Sequence, residues 1–264
     1  MSLNLEKAGL NRSQKISAFI HLKPVYCKES NTIKEVVEEI IKTGHRSFPI
    51  VSQKKHLTGI VTIMDVLSAY LRKQNLDDKI STIMSRDAIY CNSNDTIGFV
   101  LQKFKLVRRG RFPILDNKEV VGIVTERDFI KYFSNINFGS SVGTAMTAKP
   151  FFVAPNISIL NCLKTMVNTR YRRLPVVSEK KLVGLETVTD ILKYLRNNEY
   201  NEISLLEPLE ALMITDVLSI SKDSDISEAI KMIKSRDIGG LPVIDDKNIL
   251  EGFITERDIL VYIE

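Results

Sequence analysis

Apolar and polar positions along the chain form blocks that switch between the period of a strand and the period of a helix. The first block opens with the apolar run PVYC, and after a polar turn Val36, Val37, Ile40 and Ile41 recur at the spacing of one helix face. Two further apolar runs, FPIVS and LTGIVTI, are separated by polar residues, and the amphipathic run DVLSAYL closes the block. The pattern predicts the order strand, helix, strand, strand, helix.

Four copies of this block follow one another along the chain. A phrase that starts with glycine and ends in T-x-x-D occurs as GIVTIMD (59–65), GIVTERD (122–128), GLETVTD (184–190) and GFITERD (252–258). An apolar residue followed by proline precedes each phrase, at Phe48-Pro49, Phe112-Pro113, Leu174-Pro175 and Leu241-Pro242, and each proline lies 29 residues after Ile20, Met84, Met146 or Met213. These landmarks predict four repeats, numbered 1 to 4, over about 12–74, 76–136, 138–198 and 205–264.

One repeat of about 60 residues has little interior to bury, so we expect the repeats to pair. Residues 1–137 are predicted to form the first pair and residues 138–264 the second, each with a core shared by its two repeats. Two capping pairs are predicted where first helices begin, Thr32 with Glu35 and Asp225 with Glu228.

The boundary between the pairs contains the pattern G-x-S-x-G at 139–143, which is typical of hydrolases. A hydrolase of that kind has its histidine after the serine, whereas His21, His45 and His56 all precede it. The segment is therefore interpreted as a linker. The sequence has no Walker A, HExxH or GxGxxG pattern, and we expect a protein that is not an enzyme.

Composition narrows the class of protein further. The 264 residues are 44% hydrophobic and carry a formal net charge of +5, which favours an anionic ligand or partner. The three cysteines form no CxxC pair, so neither a disulfide framework nor a metal site is expected. No apolar run reaches the roughly 18 residues needed to span a bilayer, and we expect a cytoplasmic protein without membrane contact.

The order β-α-β-β-α, the apolar–proline step and the glycine phrase together resemble the cystathionine-beta-synthase (CBS) domain family over nearly the whole chain. The resemblance implies an α+β fold whose four repeats form two tandem pairs (Bateman modules), which can pack into a flat disc. It also implies clefts for adenosyl ligands, here an adenine nucleotide such as AMP, ADP or ATP, bound for regulation without a catalytic cofactor. A regulated protein and a second copy of the chain, as a homodimer, are the other expected partners.

The T-x-x-D phrase lies where a strand ends and a helix begins. The first N–H groups of a helix attract phosphate, a threonine hydroxyl can donate to it, and a carboxylate suits the hydroxyls of a ribose. The same residues also form a capping box, and the residues alone do not decide between the two. The resemblance implies that the threonines contact phosphate (Thr62, Thr125, Thr187, Thr255) and that the aspartates hold the ribose (Asp65, Asp128, Asp190, Asp258).

Arginines are the remaining candidate ligands for phosphate, because their forked donors match its oxygens. Arg46, Arg111 and Arg173 precede apolar–proline steps, and Arg127 and Arg257 lie inside the phrase. The alternative is that the first group only complements the dipole at the end of a helix. For the adenine base, the candidate contacts also suit a core strand: Val25, Ile89, Phe151 and Leu218.

The four copies differ at positions that bear on binding. Repeat 3 has Glu186 where the other copies have Val61, Val124 and Ile254, which predicts a poorer phosphate site there. Repeat 4 has Gly239 and Gly240 where the others have basic residues, which predicts close approach of a ligand held by fewer charges.

Two other functions are compatible with the same predicted fold. Nucleic-acid binding is suggested by the sequence pI of about 9.0 and the arginine clusters, and it predicts a continuous basic stripe and steep salt dependence. A protein-interaction scaffold without ligands is the third interpretation.

Overall fold

A computed structural model describes residues 2–19 and 25–263, and the predicted order of elements is present in the four repeats. Ile20, one of the sequence landmarks, lies outside the described residues. The helices are α1 (Ser2–Lys7), α2 (Ile33–Thr43), α3 (Ile63–Leu71), α4 (Ile97–Val107), α5 (Glu126–Ile130), α6 (Ile159–Thr169), α7 (Val188–Asn197), α8 (Ile226–Arg236) and α9 (Glu256–Ile263). The strands are β1 (Cys27–Lys28), β2 (Ser47–Val51), β3 (Leu57–Thr62), β4 (Cys91–Asn92), β5 (Arg111–Asp116), β6 (Glu119–Thr125), β7 (Thr147–Ala148), β8 (Arg173–Ser178), β9 (Lys181–Thr187), β10 (Ile220–Ser221), β11 (Gly240–Ile244) and β12 (Leu250–Thr255).

Each repeat is built on an antiparallel strand pair with one fixed register. The proline of the apolar–proline step lies opposite Ile60, Ile123, Leu185 or Phe253, and the next residue lies opposite the glycine of the phrase. A short parallel strand, β1, β4 or β10, extends the sheet in repeats 1, 2 and 4. In repeat 3 a single bridge from Val153 to Val176 takes the place of the predicted strand.

Local side-chain bonds set where the first helices begin. At α2 the predicted capping box is confirmed, because Thr32 and Glu35 each accept from the backbone N–H of the other. At α8 the N-cap is Asp225 as predicted, but its carboxylate accepts from the N–H groups of Ser227 and Ser140 instead of forming a box with Glu228. The reason is that Ser140 and Ser141, at the start of repeat 3, lie against the start of α8.

Segments are exchanged between repeats 1 and 2, and likewise between repeats 3 and 4. Lys79, near the start of repeat 2, bridges to Thr32 of repeat 1, and Lys15, near the start of repeat 1, bridges to Thr96 of repeat 2. Repeats 3 and 4 make the matching bridges from Ser141 to Asp225 and from Pro208 to Ser158. Through this exchange, the residues that follow Met84, Met146 and Met213 pair with the sheet of the neighbouring repeat.

The exchange explains the glycine of the phrase. A Cβ atom on Gly59 would lie 2.8 Å from Met84 Sδ, and one on Gly184 would lie 2.6 Å from Met213 Sδ. Both methionines belong to the neighbouring repeat. These glycines therefore make room for a methionine of the neighbouring repeat.

The large hydrophobic clusters join different repeats from those predicted. One combines buried residues of repeats 1 and 3, including Val36 and Leu163, and the other combines repeats 2 and 4, including Phe129 and Ile259. Only a small cluster around Val51 and Leu115 spans the sheets of repeats 1 and 2. The prediction that the two repeats of a pair share one core is thus wrong for most of the apolar interior, because the helix faces pack across the two halves of the chain.

The repeats consequently close a ring in the order 1, 2, 4, 3. Sheets and exchanged segments connect 1 with 2 and 3 with 4, as in the bridge from Lys181 to Ile249. Helices connect 1 with 3, through α3 with α6 and α7, and 2 with 4, through α5 with α9. The residues that precede the four apolar–proline steps face the middle of this ring.

Candidate functional site

The T-x-x-D phrase forms a helix cap in each repeat. In repeat 1, Asp65 Oδ2 accepts from the N–H of Thr62 at 2.8 Å and from its hydroxyl at 2.7 Å, and Thr62 Oγ1 accepts from the N–H of Asp65. Repeats 2 and 4 repeat this arrangement with Asp128 and Asp258. The capping interpretation is therefore confirmed in these three repeats, and it commits Oδ2 of each carboxylate to the cap. Asp128 Oδ1 in addition accepts from Lys131 Nζ at 3.5 Å.

The cap of repeat 3 is altered by Glu186. The N–H of Thr187 donates to Glu186 Oε1 at 3.1 Å, and only the threonine hydroxyl reaches Asp190, at 2.5 Å. Glu186 is fully buried, and its Oε2 has no hydrogen-bond partner among the described residues. Burial, reinforced by the charge of Asp190, raises its pKa to about 8.

The start of α9 opens on a cavity of about 280 Å³. Thr255 and Asp258 lie on one side of the cavity, and Arg172, Arg173 and Phe151 of repeat 3 lie on the other. Burial raises the pKa of Asp258, while the bonds from Thr255 and the charge of Arg257 oppose the rise. A hydroxyl, a carboxylate oxygen, guanidinium groups and an aromatic ring thus converge on one space.

The aromatic wall of the cavity is formed by Phe151, as predicted, together with Tyr171. Their rings are stacked with centroids 6.4 Å apart, and both are about half exposed. The corresponding candidates Ile89 and Leu218 are also exposed, whereas Val25 packs against the core of repeats 1 and 3. Phe151 is thus the predicted adenine contact that the structure places in this cavity.

The cleft is formed by residues of repeats 3 and 4 together, which corrects the expectation that repeat 4 holds a ligand with fewer charges. The T-x-x-D phrase of repeat 4 is accompanied by the arginines of repeat 3, so this cavity is not poor in charge. Gly239 contributes in another way, because a Cβ atom there would collide with the guanidinium of Arg173. The glycine makes room for an arginine of the neighbouring repeat.

Four arginines from three repeats converge at the middle of the ring: Arg46, Arg111, Arg172 and Arg173. The guanidinium of Arg111 donates to Ser47 Oγ at 3.2 Å. Those of Arg46, Arg172 and Arg173 form no hydrogen bond or ion pair within 2–19 and 25–263, although the charge of Glu256 acts on all three. Burial, together with the neighbouring arginines, lowers the pKa of Arg111 and of Arg173 to about 9. The candidates Arg46, Arg111 and Arg173 are thus brought together, although they are far apart in sequence.

The two arginines inside the phrase have carboxylate partners from the opposite repeat. Arg257 Nε donates to Glu126 Oε1 at 2.9 Å, and Arg127 pairs with Glu256 and with Asp237. Sequence reasoning missed Glu126 and Glu256. The sequence signal was the motif TERD, which repeats 2 and 4 share. It places an acidic residue beside a basic one on two helices that pack together.

Within 2–19 and 25–263, no helix is long and apolar enough to cross a membrane. Over the same residues, no three histidine, cysteine or acidic side chains are grouped so that they could hold a metal ion.

Comparison with known proteins gives one family and several relatives. The family model for the CBS domain matches residues 16–72, 80–135, 142–197 and 209–264. Protein MJ1225 of Methanocaldococcus jannaschii is 27% identical over 260 residues, which cover 88% of this chain and 92% of that protein. Its crystal structure, described as that of a candidate archaeal homologue of g-AMPK, superposes with a TM-score of 0.87 over 95% of this chain and 100% of that one, at 25% identity. A conserved protein of Pyrococcus horikoshii shares the fold, with a TM-score of 0.67 over 95% of this chain and 100% of its own at 22% identity.

Proposed function

The chain belongs to the CBS domain family, and from its four copies of the domain we propose that it is a regulatory protein without catalytic activity that binds adenine nucleotides in the clefts between repeats. AMP, ADP and ATP are the candidate ligands. In the cleft of repeat 4, the phosphate would lie near Thr255 and the central arginines, and the ribose near Asp258 Oδ1. The description of MJ1225 as a candidate archaeal homologue of g-AMPK favours a regulatory role for a chain of the same fold.

The observation that carries the proposal is the group of central arginines. Withdrawing several neighbouring cations from water is unfavourable unless anions balance them. Here burial above all lowers the pKa of Arg46, Arg172 and Arg173, although the charge of Glu256 opposes the change. A phosphate group would relieve this cost by accepting several charge-assisted hydrogen bonds at once. Because Arg172 and Arg173 also line the cavity that contains Thr255 and Asp258, one nucleotide could use all of these groups.

The position of the arginines weighs against nucleic-acid binding. That function needs cations along an accessible stripe where they can reach successive phosphates. Arg111 and Arg173 instead lie at the middle of the ring, next to the carboxylates of Glu126 and Glu256. A single small anion fits this geometry better than a polymer.

We also propose that residues 1–137 and 138–264 are the two CBS pairs. The exchanged segments and the sheet contacts between repeats 1 and 2, and between 3 and 4, support this division. The helix-mediated cores would then be the contact between the two pairs.

The test is the melting temperature of the protein with and without nucleotide. A ligand at about 100 times its Kd adds roughly 2.7 kcal/mol per site, and each kcal/mol corresponds to about 2 to 4 °C. We expect millimolar AMP, ADP or ATP to raise the melting temperature of the wild type. Duplex DNA in low salt should leave it unchanged.

Two variants locate the effect in the cleft. Asp258→Asn keeps an oxygen for the cap but removes the charge, so the ligand-dependent rise should shrink while the ligand-free melting temperature changes little. Arg173→Ala should reduce the rise further, and Arg72→Ala, at an exposed arginine of repeat 1, should not affect it. A wild-type protein that DNA stabilises and nucleotides do not would overturn the proposal.

A further inference from the structure

The helices α5 and α9 are joined by two reciprocal ion pairs. Glu126 of repeat 2 holds Arg257 of repeat 4, and Glu256 of repeat 4 holds Arg127 of repeat 2. The side chains of Glu126 and Glu256 are only 6% and 11% exposed. These carboxylates are therefore interior groups, and not part of the screened surface.

Glu126 lines the cleft of the opposite repeat. It is part of the wall of the cavity that contains Thr255, Asp258 and Arg257. A Cβ atom on Gly110 would lie 2.6 Å from Glu126 Oε2, so the chain of repeat 2 leaves space for this carboxylate. A negative charge is thus built into the wall of a cleft that is also lined by the carboxylates of Glu256 and Asp258 and by four arginines, Arg170, Arg172, Arg173 and Arg257.

We propose that Glu126 is an internal counter-ion, which a nucleotide phosphate displaces from Arg257 when it binds in the cleft of repeat 4. By the same reciprocity, a phosphate at the start of α5, near Thr125 and Asp128, would displace Glu256 from Arg127. The inference rests on the proposed function and adds a determinant of affinity to it. Since each carboxylate comes from the opposite repeat, a phosphate bound at the start of one helix changes the charge balance at the start of the other.

Displacing Glu126 from Arg257 changes the pKa of Glu126 and therefore the protons that it binds. Glu126 faces Arg257 and Glu256 from α9, Arg172 from the segment before β8, and Arg111 from β5. Burial and Glu256 raise its pKa, while Arg257 is the main influence that lowers it. When Arg257 turns to a phosphate, the pKa of Glu126 rises further, so the carboxyl group takes up a fraction of a proton.

The experiment is titration calorimetry of AMP binding at pH 7.5 in two buffers with different ionisation enthalpies. We compare the wild type with Glu126→Gln and Glu256→Gln. The matched control is Glu38→Gln, which also removes an ion pair between repeats, with Arg196, but lies away from the clefts. Thermal melting of each variant verifies that it is folded.

We expect Glu126→Gln to bind AMP about 3- to 10-fold more tightly and to take up less of a proton than the wild type. Glu256→Gln should show the same changes for AMP bound at the start of α5, and Glu38→Gln should match the wild type. Equal affinity and equal proton uptake in all four proteins would overturn the counter-ion role and leave the proposed function standing. Absence of AMP binding in the wild type and in every variant would overturn both.

Discussion

At the scale of single residues, the most unusual group is Glu186. Its counterparts Val61, Val124 and Ile254 are buried apolar side chains, and the carboxyl group occupies the same interior position. It takes the N–H that would otherwise complete the cap of α7. The substitution therefore changes the geometry of the cap in repeat 3.

Glu186 makes the stability of the protein depend on pH. Its pKa is raised from 4.5 to about 8 in the folded chain, so unfolding releases a proton between these pH values. The free energy of unfolding should therefore fall as the pH rises through that window and level off above about pH 8. Glu186→Val should be more stable than the wild type by an amount that grows to the order of 4 kcal/mol at pH 8.5.

Chemical denaturation at pH 5, 7 and 8.5 measures this dependence. Glu186→Gln is the control, because it keeps an acceptor for Thr187 and cannot titrate. Its stability should vary less with pH than that of the wild type. If the wild type and Glu186→Val differ by the same amount at all three pH values, the carboxyl group does not titrate as described.

The sequence shows which candidate side chains recur in the repeats but not which of them meet. The Thr and Asp residues are recognisable because their spacing is fixed by one helix turn, and Arg46, Arg111 and Arg173 because they precede a recurring proline. The pairing of repeat 4's phrase with repeat 3's arginines depends on the exchanged segments. Such long-range contacts leave no local pattern in the sequence.

At the scale of elements, the repeats were predictable because strand and helix periods recur in register. Where elements depart from the pattern, a neighbouring repeat is the cause. The N-cap of α8 bonds Ser140 of the exchanged chain, and β7 of repeat 3 pairs with β12 of repeat 4. A single repeat considered alone would not predict either contact.

The helix caps give a prediction about two equivalent aspartates. Asp65 accepts from both the N–H and the hydroxyl of Thr62, whereas Asp190 accepts only from the hydroxyl of Thr187. Asp65→Ala should lower the free energy of unfolding by about 1 to 2 kcal/mol. Asp190→Ala should cost less, because it removes one accepted hydrogen bond where Asp65→Ala removes two. Urea unfolding of the two variants at pH 7 compares them directly, and equal losses would contradict this account.

At the scale of the whole molecule, the ring has helix contacts between its halves that bury most of the apolar core. The segment 134–143 connects the halves, and Phe138 within it packs against Phe133. Cutting one peptide bond there removes none of the contacts between repeats 1 and 3 or between 2 and 4.

We therefore expect the two halves to remain associated after a cut at the linker. A protease site inserted near Gly139, which has a positive φ of 60°, allows a clean cut. The cut protein should elute from a size-exclusion column at the position of the intact chain. Elution as two separate fragments of half the mass would show that the helix-mediated cores do not hold the halves together.

The contacts between α5 and α9 are reciprocal, as they are in a symmetric dimer. In a symmetric dimer, residue i of one subunit contacts residue j of the other, and j contacts i. Glu126 with Arg257 and Arg127 with Glu256 follow this rule, as do the packed helices α3 and α7. The chain has the geometry of an isologous dimer whose two-repeat halves are joined in one polypeptide. In a true dimer every side chain appears twice, whereas in a single chain Glu186 and Gly239 each stand in one repeat alone, so equivalent positions of the four repeats can differ from one another.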